Sequence, residues 1–264
     1  MLETRVKRNV EDFLEELARS RESALLLDYD GTLAPFQADR NRAFPYPGIS
    51  GLLQDIMKPG HTRVVLITGR CAQDIVPLLG MVPVPEIWGA YGLQRPKSDG
   101  TWEMPVLDPA VTQALAEAAQ WVDDLGFGNL IEPKPGGVAV HWRGLEDSLA
   151  TSIREKVLLG WLPVADRARM TLQHFDGGVE IQVPGSNKGE AVREFLKSID
   201  PATTVAYLGD DQPDEHAFLA LRNRGLSILV RSEWRETEAD LWLRPPEELL
   251  SFLLQWLAIC RFGR

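Results

Sequence analysis

The stretch 24-ALLLDYDGTL-33 decides the fold, because an unbroken apolar run passes directly into Asp28, Asp30, Gly31 and Thr32. A run of this kind, with no polar alternation, reads as a strand covered on both faces, which a parallel sheet between helical layers provides. Asp28 and Asp30 stand two apart, so in extended geometry their carboxylates project to one side. Two further runs end the same way: residues 64–67 pass into Thr68, Gly69 and Arg70, and residues 204–208 into Gly209, Asp210 and Asp211. Between them lie helical segments. Pro47 opens one through Met57, and Pro245, Pro246, Glu247 and Glu248 open the last, using fixed proline φ and acidic side chains at the positive helix end. Ligands of such sheets bind beyond the carboxyl ends of the strands, where the polar clusters converge.

Composition narrows the function. Across 264 residues, 28 Lys and Arg stand against 38 Asp and Glu, a formal net charge of −10. That sign disfavours nucleic acid as a partner. Cys71 and Cys260 alone supply neither a disulfide framework nor a thiolate cluster for zinc. No apolar run approaches the ~18 residues of a membrane helix. Residues 1–20 place Val6, Val10, Phe13, Leu14 and Leu17 along an amphipathic helix rather than in a secretion signal. The expectation is a cytoplasmic monomer with no membrane partner.

Residues 108–184 read differently. A helical stretch at 109–125 precedes 129-NLIEPK-134 and 138-VAVHWR-143, joined by Pro135, Gly136 and Gly137. A second, at 145–159, precedes 170-MTLQHF-175 and 179-VEIQV-183, joined around Asp176, Gly177 and Gly178. Helix, hairpin, helix, hairpin implies an antiparallel sheet. The chain is therefore expected to be α/β, a Rossmann-like doubly wound parallel sheet formed by 1–107 and 185–264, with an inserted α+β cap of αββαββ order at 108–184. Pairing outward from Pro135 with Val138 sets Lys134 against Ala139 and Glu132 against His141. Glu132, Lys134, His141 and Arg143 then share one face, and Ile131, Pro133, Val138, Val140 and Trp142 the other. Val179, Ile181 and Val183 face the helices, leaving Glu180 and Gln182 on the polar face. That face suits a polyhydroxylated sugar or plain solvent. Linkers near 105–108 and 183–187, punctuated by Pro105, Pro109, Pro184 and Gly185, are where the cap would open and close.

Anions as close as Asp28 and Asp30, joined by Asp210, Asp211 and Asp214, need a cation or a shared proton. An oxygen-only cluster suits a hard ion such as Mg²⁺. Gly31 permits tight turning there, and Thr32 offers a hydroxyl. Lys188, at the predicted start of a helix, places an ammonium and a helix N-terminus toward a phosphate, and Thr68 with the Gly69 amide can bind another oxygen. Each element alone has a bland reading: a turn, a cap or a surface lysine. Together they supply phosphoryl transfer to a carboxylate.

The ordered set DYDGTL, TGR, NKG and GDDQPDE resembles the haloacid dehalogenase superfamily of aspartate-nucleophile phosphatases. The resemblance implies Asp28 as nucleophile, Asp30 as general acid and base, and Thr68 and Lys188 on the phosphate. It implies Mg²⁺ held by Asp28, the Asp30 carbonyl and Asp210, with Asp211 and Asp214 acting through water or orienting Lys188. Gly31, Thr32, Gly69 and Arg70 fall on the substrate side. IEPKPGGVAVHWR and GVEIQVPGSNKG resemble the cap of trehalose-6-phosphate phosphatases, a C2B-type cap. That likeness assigns Glu132, Lys134 and Glu180 to sugar hydroxyls, with His141 and Arg143 supporting the face or the hinge. A trehalose-6-phosphate synthase is the partner it suggests. This chain departs from the family at GAYGLQ, where Tyr91 and Gln94 replace the usual His and acid, at Pro213 for Thr, and at Thr68 for Ser. Three readings follow: a trehalose-6-phosphate phosphatase, a phosphatase of another sugar phosphate, or a non-catalytic sugar-phosphate sensor. Cys71 reads as a small packing residue, and Trp121, Trp161, Trp242 and Trp256 as core.

Overall fold

Helix α1 (Val10–Arg19) precedes β1 (Ser23–Leu27), α2 (Ile49–Met57), β2 (Thr62–Ile67), α3 (Ala72–Leu79) and β3 (Glu86–Trp88) in the computed structural model, which describes residues 8–37, 39–97 and 99–262. A short ribbon, β4 (Arg95–Pro96) and β5 (Trp102–Glu103), leads into α4 (Pro109–Asp124), β6 (Ile131–Lys134), β7 (Gly137–His141), α5 (Asp147–Ala168), β8 (Thr171–Phe175) and β9 (Gly178–Gln182). The chain then continues as α6 (Lys188–Lys197), β10 (Thr204–Gly209), α7 (Gln212–Ala220), β11 (Leu226–Val230), β12 (Leu241–Leu243) and α8 (Glu247–Phe262).

Six strands form the main sheet in the order β12-β11-β10-β1-β2-β3, every pair parallel. β1 is central and wholly buried. Its side chains alternate between two cores. Leu25 and Leu27 pack with Phe13 of α1 and Trp256 of α8, while Ala24 and Leu26 pack with Phe195 of α6 and Phe218 of α7. That two-sided burial is why the run is apolar at every position. β3 and β12 have three residues each, too few for a periodic pattern to show in the sequence. α1 starts at Val10, capped by Asn9; the part of the expected N-terminal helix at residues 1–7 lies outside the described residues. Among the described residues no helix is long and apolar enough to cross a membrane.

The segment α4 to β9 builds the second layer, an antiparallel sheet ordered β6-β7-β9-β8. Its register corrects the expected one by two residues: Lys134 pairs with Gly137 and Glu132 with Ala139, so Pro135 and Gly136 form the whole turn. Gly136, at φ 71°, supplies the left-handed conformation such a turn requires. A shift of two preserves the faces. Val138, Val140, Val179, Ile181 and Val183 pack on α4 and α5 as expected. α5 runs beyond the expected end at 159 to Ala168, past Gly160 and Pro163. Gly160 lets the Trp121 ring lie directly on this helix, since a Cβ there would sit 2.3 Å from it. Trp121 is thus a partly exposed lid rather than core, whereas Trp161 and Trp256 are fully buried.

Trp161 fills the cap core and donates its indole N–H to the Ala118 carbonyl at 2.9 Å. Trp161→Ala should destabilise the protein by about 3–5 kcal/mol, read as a lower urea midpoint.

Candidate active site

The carboxyl end of β1 delivers Asp28 beside the carboxyl end of β10, whose Leu208 carbonyl accepts the Asp28 amide N–H at 2.8 Å. Parallel pairing of the two strands therefore brings Asp28 next to Asp210. Lys188, the first residue of α6, reaches between the layers and donates to Asp28 Oδ1 at 2.7 Å and Asp214 Oδ1 at 2.8 Å. All three side chains are buried. Asp214 also accepts from the Tyr207 hydroxyl at 2.5 Å and, through Oδ2, from the amides of Asp210 and Asp211. Its hydrogen bonds make it the anchor of Lys188 and the third helical residue that reaches back to cap the start of α7 at Asp211. Pro213, in the first turn of that helix, costs no hydrogen bond, because those N–H groups have no helical partner.

One oxygen stands apart. Asp210 Oδ2 is buried without a hydrogen-bond partner. Gly31, at φ 80°, passes so close that a Cβ would fall 2.1 Å from it. Asp28, Asp210 and Asp214 bring ligand oxygens within 4.8 Å of one another. Burial, offset in part by Lys188, pushes the Asp28 carboxyl up to about 7, and burial with Asp28 and Asp214 nearby pushes Asp210 well above the usual carboxylate range. A hard divalent cation fits this donor set, supplying the charge the carboxylates otherwise take up as protons.

The remaining expected residues divide. Thr68 lines the cavity, its hydroxyl oxygen accepting the Arg70 amide at 3.1 Å. Asp30 is gripped by Arg70, whose Nε donates at 2.6 Å, and the same guanidinium donates to the Arg40 carbonyl at 2.7 Å. Asp211 lies outside the carboxylate trio but lines the cavity. Its Oδ2 accepts the backbone N–H of Asp176 in the cap at 2.6 Å. Gly31 and Thr32 stand against the site carboxylates. Gly31 makes room for Asp210, and Thr32 donates to Asp28 at 3.5 Å.

The cap roofs this site. A cavity of about 510 Å³ runs from Asp28, Thr68 and Lys188 to Glu132, Lys134 and His141. In β7, Gly137 leaves room for the Glu180 carboxylate, since a Cβ there would sit 2.5 Å from Oε1, and Lys134 Nζ reaches Oε2 of that carboxylate at 2.7 Å. His141 Nε2 lies 2.7 Å from Glu132 despite the shifted register. Arg143 lies over the Phe36 ring at 3.7 Å, and Arg40 pairs with Glu132, so cap and core meet on both sides of the cavity. Arg40, Phe36, Phe175 and Asp176 escaped the sequence analysis. Motif spacing gives them no role, and cap docking brings them to the cavity together. Gln94 is structural: its amide oxygen caps α3 by accepting the Ala72 N–H at 2.8 Å.

A buried aspartate held by a lysine at the carboxyl edge of a parallel sheet, beneath an inserted cap, defines a phosphatase of the haloacid dehalogenase class. The trehalose-phosphatase family model matches residues 26–244, and the chain belongs to that family. It is 27% identical to "Probable trehalose-phosphate phosphatase H" of Arabidopsis thaliana, over 92% of this chain and 74% of that protein. It is 25% identical to "Alpha,alpha-trehalose-phosphate synthase [UDP-forming] B" of Dictyostelium discoideum, over 96% of this chain but only 32% of that much longer protein. The fold matches the C-terminal domain of C. albicans trehalose-6-phosphate phosphatase with a TM-score of 0.78 at 20% identity, covering 97% of both chains.

Burial pushes the Glu132 carboxyl up, but His141, Lys134 and Arg40 outweigh it and hold the group at about 2. A depressed folded value adds stability above the unfolded pKa, lost as pH falls toward the folded value. The stability difference between the protein and its Glu132→Gln variant should be about 3 kcal/mol at neutral pH and shrink between about pH 4.5 and 2, followed by urea unfolding across that range.

Proposed function

We propose that this chain hydrolyses trehalose 6-phosphate to trehalose and phosphate, with Mg²⁺ bound and through a phosphate ester on Asp28. One observation carries the reading: the Asp28–Lys188 pair and the cap side chains Glu132 and Lys134 look into the same cavity, with Glu180 bonded to Lys134 behind them. A site for the phosphate thus faces one for sugar hydroxyls, within a volume that accommodates a disaccharide. Asp28, the backbone carbonyl of Asp30 and Asp210 would hold Mg²⁺, with Asp214 fixing Lys188 rather than binding the ion. When bound, the ion offsets the negative charge of phosphate and carboxylates.

Asp28 attacks phosphorus as the bond to the sugar oxygen breaks, and Asp30, entering the step protonated and released from its resting ion pair with Arg70, gives that oxygen a proton. Asp30 then takes a proton from water, whose oxygen attacks phosphorus and frees Asp28 and inorganic phosphate. Lys188 and Thr68 hold the phosphoryl oxygens throughout. His141 orients Glu132, and Arg143 braces the cap against Phe36. Cap and core act as the units 108–184 and 1–107 with 185–264, opening about the two linkers to admit substrate and closing to exclude water. The likeness to part of a synthase supports association with such an enzyme as a partner.

A second reading, another sugar phosphate, is favoured by Tyr91, whose hydroxyl contacts Glu180 at 3.2 Å where the family's usual residue is His. A phosphate-release panel separates them. With Mg²⁺, trehalose 6-phosphate should be turned over well ahead of glucose 6-phosphate and sucrose 6-phosphate. A flat profile defeats the assignment. Chelation with EDTA should abolish turnover reversibly, and Asp28→Asn should lower kcat by about 10³-fold or more; full activity of that variant excludes Asp28 as nucleophile.

A further inference from the structure

Tyr91 occupies an unusual place. It is buried, sits in the left-handed region at φ 55°, and follows Ala90 at φ 46°. Two adjacent non-glycine residues in that region are strained, and such strain persists only where the surroundings enforce it. Here the backbone is tied to the phosphate loop: the Tyr91 N–H donates to the Thr68 carbonyl and the Ala90 N–H to the Arg70 carbonyl, both at 2.8 Å. The ring lies flush on Gly69, where a Cβ would come within 2.7 Å of it. From this core position the hydroxyl donates across the domain boundary to Glu180 Oε2 at 3.2 Å. Lys134 Nζ donates to the same oxygen and stands 5.5 Å from the Tyr91 ring centroid.

Glu180 is thereby held by two donors on one oxygen. Among the described residues Oε1 makes no hydrogen bond, and it lies over Gly137, where a Cβ would sit 2.5 Å away. Burial and the adjacent Glu180 raise the Tyr91 phenol well above its ordinary range, so it stays a donor.

We propose that Tyr91 is a specificity-determining positioning residue. It fixes the Glu180 carboxylate from the core, leaving Oε1 as the acceptor offered to a sugar hydroxyl, and it ties that orientation to the loop that binds the phosphate. The sugar subsite is complete only when the cap has brought Glu180 onto Tyr91. This deepens the proposed function and rests on its assignment of Glu180 to the sugar.

The test compares Tyr91→Phe, Glu180→Gln and the double variant, with trehalose 6-phosphate as substrate and Mg²⁺ present. Phe keeps the ring on Gly69 and removes only the hydroxyl, and equal thermal midpoints establish that it folds. Tyr91→Phe should raise KM about tenfold and change kcat less than about threefold. In the Glu180→Gln background the same change should raise KM less than about twofold, because both act through one carboxylate. If Glu180→Gln raises KM and Tyr91→Phe does not, the role of Tyr91 is overturned while the sugar face stands. Additive effects, or a fall in kcat with KM unchanged, also overturn it. If neither single variant raises KM, the assignment of Glu180 fails and the inference falls with it.

Discussion

The Lys188 ammonium, buried between Asp28 and Asp214, is the interaction on which the rest of the molecule depends. Removing three charges from water is costly, and only close opposite charges with further hydrogen bonds offset that cost. Each partner comes from a different element: Asp28 from the end of β1, Asp214 from α7, Lys188 from the start of α6. The pair can form only if α6 and α7 pack on the face of the sheet opposite α1 and α8. Tyr207 and the amides of Asp210 and Asp211 complete the shell around Asp214. Asp28, Lys188 and the fold are therefore held by one set of contacts.

The same economy shapes the cap. Its inner core is aliphatic around Trp161, and its opposite face is charged, with Lys134 and Glu180 almost fully buried by the docked core. Buried charges persist because each finds a partner: Glu132 pairs with Arg40 and His141, Glu180 with Lys134 and Tyr91. Gly137 in β7 is what gives the Glu180 carboxylate room to meet Lys134 across the sheet. A polar cavity between two domains suits a substrate with an anionic end and many hydroxyls.

Much of the site was legible because chemistry gathers at strand ends. DYDGTL, TGR and GDDQPDE each follow an apolar run, so a parallel sheet has to bring them to one edge, and Lys188 opens its helix as the cap at Asn187 requires. The polar and apolar faces of the cap hairpins followed from alternation alone and survived a register error of two residues, since side-chain direction repeats every two. Asp211 marks where chain proximity stops being informative. It neighbours Asp210 in the chain, but the helix start turns its carboxylate toward the cap instead of toward Lys188.

The chain by itself determined the two-sided parallel sheet, the inserted αββαββ cap and the acidic, lysine-bearing cluster at the strand ends, because strand periodicity and strand-end residues are local properties. Only the tertiary structure decided which groups close the cavity. Arg40 on Glu132, Arg143 over Phe36, the Asp176 amide on Asp211 and the Tyr91 hydroxyl on Glu180 all join residues far apart in the chain. Those contacts depend on how two separately built layers dock, and docking is set by the shape and charge of whole surfaces, which no short stretch of sequence encodes.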